Sequence, residues 1–462
     1  MLLRLSTILA CTSLAAVPPA LATEIGWRND GTGLYPEASP PLNWSDSENV
    51  LWQTKLPDWG NSMPVLVGDK IFLTCEPDRL ICLSAETGEI LWESATGMED
   101  ALSAEARQKL KDNQATIAQL QADIQKLRQE SGALRRKVRR AEGEERARLQ
   151  EQRTLVQANV AEKEKRLAGI GGLMTPRAHP ENGYTSATPV SDGNFVYTVF
   201  GTGVIAAHDL DGNRVWAKLH EQPTHVFGHS SSPRLIDGKL IVHILTLMAI
   251  NPKDGAIVWE ADLPSSWGTP AVTEIGDTPI IITAAGDIVR ASDGHLLGSE
   301  FFELNYGCPI VQDGKLYAID ENGGWAYQLP ESIEGDTIEL AQIWTNNPPR
   351  DRYYSSPVVV DGVLYTCNRA RRFTAFDAAT GEQIFSEVIP FGQGRQLYGS
   401  FSYAGGHLFV SHDNGQVATL REGKTYDLVN INSLDESKAT PLFVGDRVFM
   451  RTHTALYCLS SG

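Results

Sequence analysis

Short apolar runs, broken at close intervals by glycine, aspartate and proline, fill nearly the whole chain. This is the pattern of many brief β-strands. Eight times a pair of small residues precedes proline or a stand-in, and a β-run and an acidic or glycine turn follow. The anchors are Ser62-Met63-Pro64, Ala187-Thr188-Pro189, Ser231-Ser232-Pro233, Gly268-Thr269-Pro270, Gly307-Cys308-Pro309, Ser355-Ser356-Pro357, Gly399-Ser400-Phe401 and Ala439-Thr440-Pro441. With one long insertion set aside they recur roughly every 37 to 48 residues. A period of that length predicts stacked units of four strands each, an all-β β-propeller.

Each unit carries further marks. A two-residue turn follows the inner strand (Gly68-Asp69, Asp192-Gly193, Asp237-Gly238, Asp313-Gly314, Asp361-Gly362), where glycine or aspartate supplies the positive φ that a hairpin needs. A later turn leads to an outer strand bearing an aromatic ring: Trp92, Trp216, Trp259 and Phe385. A large ring at one fixed place per unit suits packing between neighbouring blades. The final unit, 439–462, supplies only three strands, while Asn49 to Leu56, with Trp52 in the outer-strand position, stands alone before the first anchor. Pairing the two predicts eight blades closed from both chain ends, with no ring edge left exposed.

One stretch departs from this grammar. Between Glu99 and Ala168 there is no proline and no aromatic residue, and Leu110, Ile117, Leu120, Ile124, Leu127, Leu134 and Val138 fall in a heptad pattern, continued more weakly by Leu149, Val156, Val160 and Leu167. Because the chain must return to the propeller, two antiparallel helices in a coiled-coil hairpin are expected, turning near Ser131-Gly132 or Glu142-Gly143. Connections of this kind lie on the propeller face that receives ligands or partners. The expected organisation is a signal peptide at 1–22, an extension at 23–48, the closing strand and blade one at 49–98, the hairpin at 99–169 and blades two to eight at 170–462.

The formal charge is −17, unevenly spread: residues 99–169 hold 16 basic and 12 acidic side chains, so the remainder is more acidic still. Such a body argues against nucleic acid as a partner. Arg4, the apolar stretch Leu5 to Val17 and Ala20-Leu21-Ala22 form an export signal with cleavage after Ala22, too short to span a bilayer, and predict a periplasmic or secreted protein without a transmembrane segment. Cys11 offers a rival lipoprotein site, at the cost of apolar length after Arg4. Of the five remaining cysteines, Cys75 and Cys82 flank one turn and are candidates for a disulfide, the alternative being five buried thiols.

Aligning the anchors puts one residue per unit, three before the proline, at the mouth of the central channel: Asn61, Ser186, Ser230, Trp267, Tyr306, Tyr354, Tyr398 and Lys438. Four consecutive aromatics thus form an arc opposite small polar residues. Trp59, Tyr184, His225, His229, Arg352 and Tyr353 fall close by, and the turn Asn368 to Arg372 brings Arg369, Arg371 and Arg372 to the same face. The ligand- or partner-binding candidates are Trp267, Tyr306, Tyr354, Tyr398, His229, Arg352 and Arg371, since an aromatic arc with arginines can hold a planar or anionic ligand or a peptide. The competing reading makes the rings a channel plug. His225 and His229 stand four apart but in a loop, and no third ligand presents itself, so no metal site is expected. No nucleophile elbow, P-loop or dinucleotide fingerprint occurs, and no catalytic residue is assigned.

With Leu80-Ile81-Cys82-Leu83-Ser84-Ala85-Glu86-Thr87-Gly88-Glu89-Ile90-Leu91-Trp92 as the clearest copy, the repeats resemble the tryptophan-docked blades of PQQ-like propeller proteins. Within that superfamily, quinoprotein dehydrogenases bind pyrroloquinoline quinone and calcium, many with an adjacent cysteine pair, and no adjacent cysteines occur here. The chain is more similar to the non-enzymatic branch that includes the propeller lipoprotein of outer-membrane β-barrel assembly. The resemblance implies an exported binding or scaffold module without a cofactor; the alternative is a PQQ-dependent quinoprotein dehydrogenase.

Overall fold

The computed structural model describes residues 25–394 and 396–461. The export signal and Cys11 lie outside these residues. Those described form eight antiparallel four-stranded sheets, seven of them with their strands in chain order, one of these extended by a fifth strand. Seven sheets are local meanders, numbered here one to seven after their anchors; the eighth takes three strands from Leu442–Val444, Arg447–Arg451 and Ala455–Leu459 and its outermost from Val50–Lys55. That strand runs antiparallel to Ala455–Leu459 with Gln53 opposite Tyr457. The ring closes as the sequence predicts.

Local chemistry explains the repeat. Asp237-Gly238, Asp313-Gly314 and Asp361-Gly362 all have positive φ at both residues, the type I′ geometry whose twist matches a hairpin. On the outer strands, the indole N–H groups of Trp92, Trp216, Trp259 and Trp344 donate to the carbonyls of Leu210, Pro252, Ala291 and Ala378 in the following sheet. Each ring lies over the turn glycine of that sheet; a Cβ at Gly212 would come within 2.6 Å of Trp92. The tryptophan and the glycine one repeat later are therefore one contact, read twice along the sequence.

The small pair before each proline has an equally specific cause. The residue immediately before it donates its backbone N–H to the side chain of its counterpart in the next sheet: Met63 to Thr188 Oγ1, Thr188 to Ser232 Oγ, Ser232 to Thr269 Oγ1, Thr269 to Cys308 Sγ, Cys308 to Ser356 Oγ, Ser356 to Ser400 Oγ and Ser400 to Thr440 Oγ1, all at 2.9–3.2 Å. Only a short side chain ending in a hydroxyl or thiol reaches that N–H. The preceding residue is small because the sheets converge; a Cβ on Gly268 would collide with the Gly307 carbonyl oxygen. Seven links leave one position with neither hydroxyl nor thiol, Met63, whose Sδ instead accepts the N–H of Arg28 at 3.2 Å.

Arg28 belongs to a segment that crosses beneath the channel. Ile25 bridges Ser191 in sheet two, Arg234 of sheet three donates to the Asp30 carbonyl, and Leu34–Tyr35 adds a parallel strand to Ser402–Ala404 of sheet seven. The Arg28 guanidinium, fully buried, donates through Nη2 to the carbonyls of Pro357 and Phe401 and through Nε to Phe401. Burial lowers its pKa to about 10, so it remains charged at neutral pH.

The insertion comprises α1 (Ala104–Asp112), α2 (Gln114–Val138) and α3 (Gly143–Gly169), with α2 and α3 packed as a hairpin. The turn falls at 139–142, with Gly143 at φ +54, so of the two expected turns the one at Glu142-Gly143 is formed. Ile117, Leu120 and Ile124 pack on Leu167 at the base, beside Met174 of the return loop. Cys75 and Cys82 are free and buried. Cys75 faces Arg79 and Cys82 faces Phe72 across the same ladder, an odd offset that turns the two thiols to opposite faces of the sheet and prevents the disulfide.

Candidate functional site

The channel mouth is a cavity of about 640 Å³. All eight residues three before the proline line it, and below them lie the eight hydrogen-bonded residues that precede it. Trp27, from the crossing segment, lines it as well and stacks against Arg28 at 5.3 Å. The cavity is thus a bowl with a wall from the mouth residues and a base shared by the hydrogen-bonded anchor residues and Trp27 of the chain's own N-terminal extension.

Along one wall the aromatic arc is unbroken. Ring centroids are 5.6 Å apart for Trp267 and Tyr306, 4.6 Å for Tyr306 and Tyr354 and 5.1 Å for Tyr354 and Tyr398. The loop after sheet two extends it, since His225 meets Trp267 edge-on at 4.8 Å and stacks on Phe227, which stacks on His179 at 4.6 Å. Val226 and Phe227 are exposed on this rim. Arg352 lies 5.8 Å from the Tyr306 centroid and donates to the Tyr354 hydroxyl at 3.1 Å. Burial pushes the Tyr306 hydroxyl up from its ordinary value, so it stays neutral.

The far wall is polar. Asn61 Nδ2 donates to Ser186 Oγ and to the carbonyls of Glu181 and Asn182, and Lys438 bonds Glu181 at 2.7 Å while lying over the Tyr398 ring at 5.4 Å.

Of the sequence candidates, Trp267, Tyr306, Tyr354, Tyr398 and Arg352 come together in the bowl. His229 and Arg371 do not line it. His229 is buried under the rim, where desolvation lowers its pKa to about 4, and Arg371 donates to the Phe391 carbonyl at 2.7 Å. Arg369 is paired with Asp351, and Tyr353 is buried with its hydroxyl on the Pro349 carbonyl. Sequence reasoning missed Trp27, His179, Glu181, Asn182 and Phe227, which come from segments outside the strand repeat, and Gln396, which stands two before Tyr398 as Arg352 stands two before Tyr354.

The bowl does not fit a quinone–calcium centre. Calcium takes six to eight oxygen ligands, whereas Glu181, the one carboxylate among the described lining residues, is engaged by Lys438. Among the described residues no three His, Cys, Asp or Glu side chains are grouped closely enough to hold a metal ion.

Closed sheets, docked tryptophans and a basin at the channel mouth define a β-propeller of PQQ-like repeats. The family model described as outer membrane protein assembly factor BamB matches residues 43–172 and 177–297, more than half of the chain, and the chain belongs to that family. A curated relative, outer membrane protein assembly factor BamB of Yersinia pestis, is 23% identical over 238 residues, 50% of this chain and 49% of the relative. The match therefore spans about half the length of that protein. BamB from Moraxella catarrhalis superposes with a TM-score of 0.54 at 11% identity, covering 89% of this chain and 97% of that one. A europium-containing methanol dehydrogenase gives 0.54 at 11%, covering 90% and 88%. At such identities the structural likeness speaks for fold alone. No helix among the described residues is long and apolar enough to cross a membrane.

Proposed function

We propose that the protein is an exported, non-catalytic scaffold of the periplasm or cell envelope that serves outer-membrane protein assembly by holding a partner or ligand at its channel mouth. The carrying observation is the unbroken run of rings from His179 to Tyr398 on one rim, open to solvent at Phe227 and flanked by Arg352. Clustered aromatics with an arginine are the usual anchors of protein recognition. Family membership supports the assembly role, and the export signal expected at 1–22 supports the location. The hairpin base packs on the return loop that leads to His179 and Glu181, which supports a part for the hairpin in presenting the rim.

Replacing Tyr354 and Tyr398 by alanine is expected to reduce capture of envelope partners from native extracts at least tenfold, with melting shifted only a few degrees because neither ring belongs to a sheet core. If the double variant melts far earlier while its folded fraction captures partners undiminished, the rings are a channel plug and the reading fails.

A further inference from the structure

The two walls and the base of the bowl make different chemical demands. Successive rings of the arc are not coplanar: Trp267 and Tyr306 meet at 20°, Tyr306 and Tyr354 at 55°, Tyr354 and Tyr398 at 39°. They form a curved apolar wall, whereas a flat polycyclic ligand needs two parallel faces. Across from them, Asn61 Oδ1 and, beside Tyr398, Gln396 Oε1 are buried acceptors with no donor among the described residues. They call for donors from a ligand. At the base, Thr188, Ser232, Ser400 and Thr440 each spend their oxygen on a neighbour's backbone N–H. What such a hydroxyl adds is its proton, so the base of the bowl is a ring of donors suited to an oxyanion. The charge of the described lining agrees, with Arg352 and Lys438 against Glu181, in a protein of net charge −17.

One ligand class meets all three demands. Resting on the reading of the bowl as the recognition site, we propose that it binds an acidic saccharide. A pyranose presents an apolar C–H face to the arc, hydroxyl donors to Asn61 and Gln396, and a carboxylate or sulfate to the hydroxyl ring and Arg352. Affinity then combines one-sided stacking, which a neutral sugar shares, with charge-assisted hydrogen bonds, which it lacks.

The test is calorimetric titration of the full chain with trigalacturonate, with sulfated galactotriose and with neutral galactotriose. At least one acidic trisaccharide is expected to bind tenfold or more tightly than the neutral one, and which one does distinguishes a carboxylate from a sulfate ligand. Arg352→Gln, at an exposed position where folding is not at stake, is expected to erase most of that difference, and Tyr354→Ala to weaken all saccharides together. Equal affinity for the neutral sugar, no saccharide binding by the folded protein, or binding unaffected by both variants would overturn the proposal. In any of these cases, partner capture that still depends on Tyr354 and Tyr398 leaves the scaffold reading standing.

Discussion

Removing residues 25–57 is expected to abolish folding of the propeller rather than trim it. The deletion takes the outer strand of sheet eight, which pairs with Ala455–Leu459 along its length, and exposes a strand edge at the one seam where chain ends meet. It also removes Trp52, whose ring packs against Gly88 of sheet one and lies 6.0 Å from Phe449. The Arg28 guanidinium goes too, leaving the buried carbonyls of Pro357 and Phe401 without those donors. Each loss alone is on the order of 1–4 kcal/mol against a typical total of about 5–15. Together they come to about 3–12 kcal/mol, comparable to that whole reserve. Circular dichroism and gel filtration should therefore report aggregate or a collapse in melting temperature, with Trp52→Ala giving a smaller loss of the same sign. A truncated protein that melts like the full chain would contradict this closure.

Acid should destabilise the fold well before its carboxylates are titrated. His208, His229 and His243 are buried, and desolvation lowers each from 6.5 to about 4. Between those values the unfolded chain binds protons that the folded one refuses, so stability is present above pH 6.5 and is lost as pH falls toward 4. A shift of that size is on the order of 3 kcal/mol for each group. Burial also raises the carboxyls of Glu76, Asp287 and Asp320. Their sign is opposite, since protonation in the fold restores stability as pH drops, so they offset part of the histidine loss. Thermal melts are thus expected to fall steeply between pH 6.5 and 5, and His243→Gln to flatten part of the slope. A melting temperature constant over that interval would show that the imidazoles charge without cost.

How much of this was legible in the sequence depends on whether a residue repeats. The Trp-to-glycine contact and the hydroxyl-to-amide link recur in most sheets, so Trp92, Gly212, Thr188 and Ser232 announce themselves by period, and the ring of mouth residues follows by alignment alone. Trp344 escaped because its sheet lacks the turn spacing of the others, and its role emerges only from the bond to Ala378. The Trp27 side of the base was illegible for a different reason. Arg28, its chain neighbour, acts through partners more than 300 residues away in sequence, Pro357 and Phe401, and no local pattern encodes that reach. His229 and Arg371 were placed at the mouth by proximity in sequence, yet one side chain is buried and the other caps a carbonyl of the loop after the outer strand of its sheet. Sequence distance fixes where a backbone passes, while packing decides which way its side chains point.

The central claim, recognition at the channel mouth, is tested most directly by placing a photo-crosslinking amino acid at Phe227, on the exposed rim, and at Val258, on the exposed outer strand of sheet three, in living cells. The account predicts a discrete adduct with an envelope component from Phe227, identified by mass spectrometry and lost when Tyr354 and Tyr398 are truncated, and none from Val258. Adducts of equal yield from both positions, or a Phe227 adduct indifferent to the arc, would contradict it.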